Sequence, residues 1–293
     1  MNIQLRALAL TVTVLFLAGC TTSQMADSLG PRPDMMPELG TTKRLSALPA
    51  PQQEMTVAIY QFSDRTGQRK PNRNVAELST AVTQGAAAIL VDAAFRAGNG
   101  SWFKVLERNG LQNLLQERQI IRSTRDQFGD QRPLQALTFG GILLEGGIIS
   151  YDTNVLTGGV GARLLGVGAN AEYQADTVSV YLRAVSVKSG EVVESVNVTK
   201  TLYSAKLQAN VFKFIAFEEL LEIDAGISSN EPTQIAVRQA VEAAMYALIM
   251  EGYRRGIWSF ADELAGEQAF NDYLELRKPF GRVDNKPADK SAS

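Results

Sequence analysis

Hydrophobic positions change their period along the chain, and each change predicts a switch between strand and helix. Residues 57–62 (VAIYQF) are rich in β-branched and aromatic side chains, as strands are. In Ser79–Ala97 the apolar residues instead recur at helical spacing. The same criteria predict further strands at 102–107, 142–150, 177–187 and 192–198, and further helices after Gly110, at 233–253 and in the tail from Ala261. Because helices and strands alternate first and an antiparallel run follows, we predict an α+β body with a mixed, largely antiparallel sheet.

Three other stretches alternate strictly between apolar and polar residues, at 165–176, 203–211 and 221–228. Each is ~10 residues long, which matches a transmembrane β-strand with one lipid-facing side. Half-buried strands of a soluble sheet alternate in the same way, and the pattern alone favours that interpretation. The glycines and alanines on these faces would, however, make a thin soluble core. Two hairpins cannot close a barrel, so the membrane interpretation requires several subunits to pool them.

The last two of these strands are joined by a segment that contains Phe212, Phe214 and Phe217. Aromatic residues are enriched where a membrane protein meets the membrane surface. On the membrane interpretation, we therefore expect these phenylalanines to lie in the link of a hairpin.

A short apolar segment precedes Cys20, which is the only cysteine of the chain. It is too short to span a bilayer and has the length of a signal-peptide core. Its end, Leu-Ala-Gly-Cys at 17–20, resembles the lipobox of bacterial lipoproteins, in which the chain is cleaved before a cysteine that then carries diacylglycerol and a fatty acyl chain such as palmitate. Because residue 21 is Thr rather than Asp, the resemblance points to the outer membrane. The alternative is a chance cleavage site and a free buried cysteine.

Composition removes several functional classes. The chain has no histidine, which excludes Ser-His-Asp and Cys-His triads and histidine-ligated metals. Loss of residues 1–19 would remove Arg6 and change the formal net charge from −2 to −3, which gives no electrostatic footprint for nucleic acid. The glycine-rich run at 158–163 lacks the Lys and Ser or Thr of a phosphate-binding loop. We therefore expect a protein that is not an enzyme, with no metal and no cofactor beyond lipid on Cys20.

Four segments resemble the CsgG family, the outer-membrane lipoproteins that secrete curli subunits. They are 106–118 (LERNGLQNLLQER), 158–163 (GGVGAR), 211–215 (VFKFI) and 229–232 (SNEP). The resemblance runs in register from the lipobox to about Trp258. It implies a ring of nine identical subunits, each of which contributes two transmembrane β-hairpins to one oligomeric β-barrel and an α/β domain to the periplasm.

Pattern and resemblance together divide the chain into a signal peptide (1–19), a lipidated linker (20–56), the first part of the periplasmic domain (57–149), hairpin 1 (150–176), sheet strands (177–196), hairpin 2 (197–229), a periplasmic helix (230–260) and a C-terminal helix and tail (261–293). On this interpretation the lipid-facing positions include Leu165, Val167, Leu207 and Ile223. The lumen-facing positions are Asn170, Glu172, Lys206, Gln208, Glu222 and Asp224.

The family's narrowest point is a loop between the first strand and the first helix, which carries a tyrosine and an adjacent asparagine and phenylalanine. By position the phenylalanine falls on Leu78, the asparagine on Glu77, and the tyrosine on Asn72 or Arg73. No aromatic residue occurs from residue 63 to residue 94, so the aromatic collar is missing. The resemblance therefore implies the location of a pore constriction but not its chemistry. A charged ring of Arg73 or Glu77 would impose a strong local field.

The resemblance implies passive, nucleotide-independent export of unfolded curli-type amyloid subunits across the outer membrane. The implied partners are further copies of the chain, outer-membrane lipid, the unfolded subunits, a CsgE-like periplasmic adaptor and a CsgF-like extracellular factor. Two alternatives stay open at this point. The chain could be a secretion pore for another surface adhesin, or a non-channel envelope lipoprotein that acts as a binding and assembly module.

Replacement of Cys20 by serine tests the role of the lipid. A lipid anchor confines subunits to a plane and raises their effective concentration. We expect Cys20→Ser to lower the yield of assembled rings even where folded protein is abundant in the periplasm, as counted in electron micrographs of detergent extracts. A normal ring yield would show that the lipid is only a tether.

Overall fold

Six strands form one mixed sheet in the computed structural model, which describes residues 38–66, 85–157, 172–208, 211–215 and 232–277. The strands are β1 (Met55–Asp64), β2 (Phe103–Glu107), β3 (Ile142–Thr157), β4 (Glu172–Ser186), β5 (Val192–Gln208) and β6 (Val211–Ile215). The described helices are α1 (Gly40–Ser46), α2 (Ala86–Arg96), α3 (Leu111–Gln127), α4 (Pro232–Arg254) and α5 (Glu263–Leu276). A short 3₁₀ turn, Ala97–Gly100, follows α2.

The strand order across the sheet is β2-β1-β3-β4-β5-β6. The β1 strand pairs in parallel with both β2 and β3. From β3 onward every neighbouring pair is antiparallel. This confirms the predicted α+β body with a mixed, largely antiparallel sheet.

One side of the sheet is buried under helices. The even-numbered residues of β4 from Val178 to Ala184 are fully buried, and they belong to the same apolar core as α2 and α4. The α4 helix contacts both β4 and β5 along its length. It buries residues on nearly all sides, as a helix wedged between a sheet and two other helices must. The core is thus built between the sheet and α4.

The amino-terminal end of the described chain belongs to this core, so the predicted extended linker to residue 56 was wrong in its last part. Residues 40–46 form α1, in which Leu45 is fully buried, and Leu48 follows it into the core. The Trp102 indole Nε1 donates to the Pro49 carbonyl at 2.8 Å. The segment is rich in proline and has only two buried leucines, which is too little periodicity to predict a helix. Tertiary packing stabilises this helix instead.

The β3 and β4 strands continue through the predicted boundary between body and hairpin 1, with a register shift between Ile148 and Ser150. Their pairing extends from Ile142 opposite Ser186 to Thr157 opposite Glu172. The link predicted for hairpin 2 was misplaced, because 211–215 form β6, which pairs with the end of β5. The VFKFI composition of β6 fits a strand, since β-branched and aromatic side chains favour pleated backbone.

The α3 helix stands apart from the core. None of its residues is buried, and Leu115, Ile120 and Ile121 are substantially exposed. Its arginines hold the segment that returns to β3: Arg118 donates to the Gln135 carbonyl at 2.6 Å and Arg125 to the Arg132 carbonyl at 2.7 Å. Arg118, which belongs to the 106–118 signature, and Arg125, which follows it, therefore organise local backbone in this subunit.

Gly146 lies where β3 passes closest to its neighbours. A Cβ at this position would collide with the Tyr181 carbonyl of β4 and the Phe62 ring of β1. Both strands are held by their ladders, so neither can yield easily. We expect Gly146→Ala to lower the free energy of unfolding by about 1–3 kcal/mol in urea titrations.

A matched substitution is available at Gly141, where a Cβ would meet only the Thr56 carbonyl at an ordinary 3.6 Å. Gly141→Ala should leave the unfolding free energy near the wild-type value. Equal stability of the two variants would contradict the proposed close approach at Gly146.

Candidate functional site: the projecting strands and the ends of the β1–α2 loop

A ribbon of antiparallel strands projects beyond the rest of the sheet. The last residue pair between β1 and β3 joins Asp64 and Ile148. From residue 150 to residue 157, β3 keeps β4 as its partner but has no neighbour on its other side among the described strands. The β6 strand likewise pairs only with β5 within the described residues. The ribbon β3-β4-β5-β6 therefore has two open edges.

A buried carboxylate marks the base of this ribbon. Asp176 lies directly opposite Thr153 and is fully buried. Its Oδ1 accepts hydrogen bonds from the Tyr151 hydroxyl at 3.0 Å and the Thr153 hydroxyl at 2.7 Å. Because a carboxylate buried without partners is costly, these bonds fix β3 against β4 where the apolar core gives way to the ribbon.

On the opposite side of the sheet, hydroxyl pairs join β4 to β5 at the same level. Thr177 and Thr201 lie opposite each other with their hydroxyl oxygens 3.0 Å apart, and Ser179 and Thr199 follow at 2.9 Å. Cross-strand pairs of this kind stabilise a sheet modestly and set its register. Both sides of the ribbon base are therefore polar and hydrogen-bonded.

Three of the predicted lumen-facing residues fall on described backbone. Glu172 on β4 occupies a register position of the same parity as the buried Val178 and Val180. The pairing of β4 with β5 places Lys206 at a register position on the same side of the sheet as Glu172. Gln208 comes after a register shift in the pairing of β5 with β6. The predicted lumen side therefore continues the side of the sheet that carries α2 and α4. Asn170, Glu222 and Asp224 lie outside the described residues.

The predicted constriction loop also lies outside the described residues, together with Asn72, Arg73, Glu77, Leu78 and Cys20. Its two ends are described. At the first end the Arg65 amide donates to the Ile148 carbonyl at 2.9 Å, and Asp64 Oδ1 accepts from the amide and hydroxyl of Thr66 at 2.9 and 2.7 Å. At the second end α2 begins at Ala86 and packs on β1 and α4.

A partly buried cluster of polar side chains joins α1, α2 and α4. Glu242 of α4 is 1% exposed and accepts hydrogen bonds from the Thr41 hydroxyl at 2.6 Å and the Thr42 hydroxyl at 2.9 Å. One turn earlier on α4, Arg238 donates to Asp92 of α2 at 2.8 Å. No pattern in the sequence predicted this cluster. The available signal was an Arg and a Glu four residues apart in the middle of a helix with many apolar residues.

The pKa values of the two carboxylates of α4 are shifted in opposite directions. Burial raises the pKa of Glu242, and the threonine hydroxyls and Arg238 offset this only in part. Burial would also raise the pKa of Glu251, but hydrogen bonds from Tyr273 and Arg254 outweigh it and lower the value. Glu251 Oε1 accepts from the Tyr273 hydroxyl at 2.6 Å, and this contact ties α5 to α4.

Two surface cavities are present near these elements. The larger, about 530 Å³, lies between β5, α4 and α5 and includes Lys200, Tyr246 and Arg254 in its lining. The smaller, about 360 Å³, lies on the other side of the sheet beside Arg65 and Glu145. Within the described residues, no cluster of three or more acidic, histidine or cysteine side chains could hold a metal ion. In the same part of the chain, no helix is long and apolar enough to cross a membrane.

The family model described as "Curli production assembly/transport component CsgG" matches residues 39–273. The chain belongs to the CsgG family. The CsgG protein of Escherichia coli strain K12 is 43% identical over 263 residues, which cover 88% of this chain and 93% of that protein. The CsgG protein of Salmonella typhimurium is 43% identical over 260 residues, or 87% and 92% of the two chains.

Membership confirms the resemblance inferred from the four segments. It also confirms that the chain is not an enzyme, because CsgG is a transport and assembly component. Among solved structures, protein XCC0632 from Xanthomonas campestris is 13% identical and covers 78% of this chain and 94% of its own. Its TM-score of 0.30 is too low to support any argument.

The raised pKa of Glu242 predicts how stability changes with pH. In the folded state Glu242 binds its proton at a higher pH than in the unfolded state, where its pKa is near 4.5. Folding is therefore favoured as pH falls through the raised value toward 4.5. Relative to Glu242→Gln, the wild type should gain unfolding free energy as pH falls from neutral toward 4.5, measured by denaturant titration at each pH.

Glu251, on the same helix, provides a control in which the unfolding free energy should change with pH in the opposite direction. Its folded-state pKa is lowered, so its contribution to stability is present above the unfolded value and is lost as pH falls. The difference between wild type and Glu251→Gln should therefore shrink on acidification. Parallel pH profiles for the two variants would contradict the assignment of opposite environments.

Proposed function

We propose that the chain is the subunit of an oligomeric outer-membrane channel that exports unfolded curli-type subunits. Lipid on Cys20 anchors each subunit, and two transmembrane hairpins per subunit, 150–176 and 197–229, close a common barrel. A ring of nine follows from the family resemblance. The glycine-rich run at 158–163 lacks the residues of a phosphate-binding loop, so we propose that export is independent of nucleotide and runs downhill, driven by substrate concentration and by the conformational entropy of an unfolded chain.

The observation that carries this proposal is the projecting ribbon with two open edges. Unpaired backbone groups are not tolerated in lipid, so such a ribbon must either remain outside the membrane or find partners for both edges. The β6 strand runs antiparallel to β3, since three antiparallel pairings separate them. The β6 of one copy placed beside the β3 of the next would therefore continue the same antiparallel order. Repetition of this contact around a ring closes every edge.

The side of the sheet that carries the predicted lumen residues supports the proposed position of the constriction. The predicted lumen residues share their side of the sheet with α2 and α4, and the β1–α2 loop ends at α2 on that side. A closed ring would therefore turn the loop toward its axis. Asn72, Arg73, Glu77 and Leu78 then narrow the pore, and the lumen-facing set Asn170, Glu172, Lys206, Gln208, Glu222 and Asp224 offers a polar surface along which an extended chain slides.

A CsgE-like adaptor would close the periplasmic entrance and confine the substrate, and a CsgF-like factor would couple exit to fibre nucleation. A second candidate function is export of another surface adhesin by the same channel. It is favoured by the absence of aromatic residues from 63 to 94, which removes the collar of the family. Secretion assays with curli-type and unrelated unfolded substrates would separate the two functions.

Ion selectivity tests both the channel and its constriction. We expect purified lipidated protein to form rings that conduct ions in planar bilayers. Repeated around a ring, Glu77 would attract cations, so Glu77→Gln should shift the reversal potential in a salt gradient toward lower cation preference. Glu117→Gln, on the exposed face of α3, is the matched control and should leave the reversal potential unchanged.

Two results would contradict this proposal in different ways. Monomers without conductance would exclude a channel and favour the binding-module alternative. Conducting rings in which Glu77→Gln and Glu117→Gln behave alike would retain the channel and remove Glu77 from its constriction.

A further inference from the structure

The outer edge of β5 has no neighbouring strand over its first half, within the described residues. The pairing of β5 with β4 begins at Val192, but its pairing with β6 begins only at Tyr203. The backbone groups of this stretch that point away from β4 therefore have no strand partner in the described part of the chain. An open edge of this kind is a template to which another extended chain can add.

The larger surface cavity, about 530 Å³, runs along this edge. Its lining includes every residue of β5 from Glu194 to Lys200. Because successive residues of a strand point to opposite sides of the sheet, an unbroken run lines a cavity only where the cavity follows the strand edge. The cavity is therefore a groove beside β5 rather than a depression on one side of the sheet.

The opposite wall of the groove matches the open edge in length. Helix α4 lines it from Gln239 to Arg254, a distance of about 22 Å at ~1.5 Å per residue. The lining run of β5 spans about 20 Å at ~3.4 Å per residue. Between its ends, α4 contributes Ala243 and Ala247, whose small side chains leave room between helix and strand. The groove therefore fits an extended segment of about six or seven residues.

The side chains around the groove carry more positive than negative charge. Four basic residues and two acidic residues line it: Arg44, Lys200, Arg254, Arg277, Glu194 and Glu251. Arg254 Nε and Arg277 Nη1 each lie 2.7 Å from an oxygen of Glu251, so two guanidinium groups share one carboxylate. Burial would raise the pKa of Glu251, but its hydrogen bonds and these arginines lower it, as expected where positive charge is in excess.

Charge and backbone chemistry argue against an occupant from this chain. A second copy could offer β2, the strand at the other end of the sheet, but β2 carries one lysine and one glutamate and has no net charge. Residues 278–293 contain four basic and two acidic residues, which gives them the same sign as the groove. The linker 20–37 carries two aspartates and one arginine, but its prolines at 31, 33 and 37 have no N–H to donate to a strand edge.

We propose that this groove is a docking site for an extended acidic segment of a partner protein, which adds as a strand to the outer edge of β5. The backbone of the segment pairs with β5 between Glu194 and Lys200, and its carboxylates meet Lys200 and the arginines of the groove. Main-chain hydrogen bonds supply affinity in this mode of recognition, and the side chains supply selectivity. The inference does not depend on the proposed channel, because the groove belongs to a single subunit.

Labelled peptides test the mode of binding on the purified full-length protein in detergent. The probe is a fluorescent seven-residue peptide of alternating glutamate and valine, and binding is measured by fluorescence anisotropy. A peptide with lysine in place of each glutamate should bind about ten-fold more weakly or worse. Because only alternate residues of an added strand direct their N–H toward its neighbour, peptides methylated on odd or on even backbone nitrogens should differ. One form should lose about ten-fold in affinity, and the other should bind like the parent peptide.

Two variants of the protein test the place of binding. Lys200→Gln removes one cation from the groove and should weaken binding of the glutamate peptide about two- to five-fold. Lys188→Gln, in the exposed turn after β4 and outside the groove, is the matched control and should leave the affinity unchanged. Thermal unfolding of both variants checks that the fold is retained.

The outcomes separate the parts of the proposal. Equal affinity for the glutamate and lysine peptides would overturn an acidic partner, and equal affinity of the two methylated forms would overturn strand addition. An equal effect of Lys200→Gln and Lys188→Gln would remove the site from the groove. Absence of binding to the wild type, or binding only after dissociation of its oligomers, would overturn the proposal in favour of an occupant from the chain itself. A protein that binds the peptide but does not conduct would retain the groove and contradict only the channel.

Discussion

Within the described residues, the two edges of one sheet that have no neighbouring strand are the constraint on which the rest of this structure depends. Inside the body both sides of β3 are paired, with β1 on one side and β4 on the other. Beyond residue 148 the β1 partner ends while β3, β4 and β5 continue. A strand edge in water is a risk of aggregation, and in lipid it is not tolerated. In the part of the chain that the structure describes, one subunit thus leaves two strand edges without a neighbouring strand, and the proposed ring of copies would supply those neighbours.

The base of the ribbon must hold its register where the apolar core ends. Asp176 and its two hydroxyl donors do this on one side, and the Thr177–Thr201 and Ser179–Thr199 pairs do it on the other. A slip of one residue would exchange the two faces of every strand beyond this point. Directional hydrogen bonds are suited to this position, because apolar contacts alone would allow neighbouring registers of similar energy.

Behind the sheet, α4 acts as the platform on which α1, α2 and α5 are fixed. Two buried carboxylates on this helix accept hydrogen bonds from different elements. Glu242 accepts from the threonines of α1, and Glu251 accepts from Tyr273 of α5. Their pKa shifts differ in direction because burial prevails at Glu242, whereas the hydrogen bonds from Tyr273 and Arg254 and the charge of Arg277 together outweigh burial at Glu251. The segments proposed to anchor, constrict and span are in this way attached to one rigid helix.

Local patterns in the sequence predicted β1 to β5, the start of α3 after Gly110 and, through the 106–118 signature, the family. Period and turn residues are local properties, so they survive without a structure. The helix at 40–46 and the β6 strand were missed, because a seven-residue helix and a five-residue strand take their stability from packing rather than from pattern. Only the tertiary structure brought Thr41, Asp92 and Glu242 together, since hydrogen bonds between residues up to 201 positions apart leave no local signal. The same holds for the open edges of the ribbon, which exist only once the strands are paired.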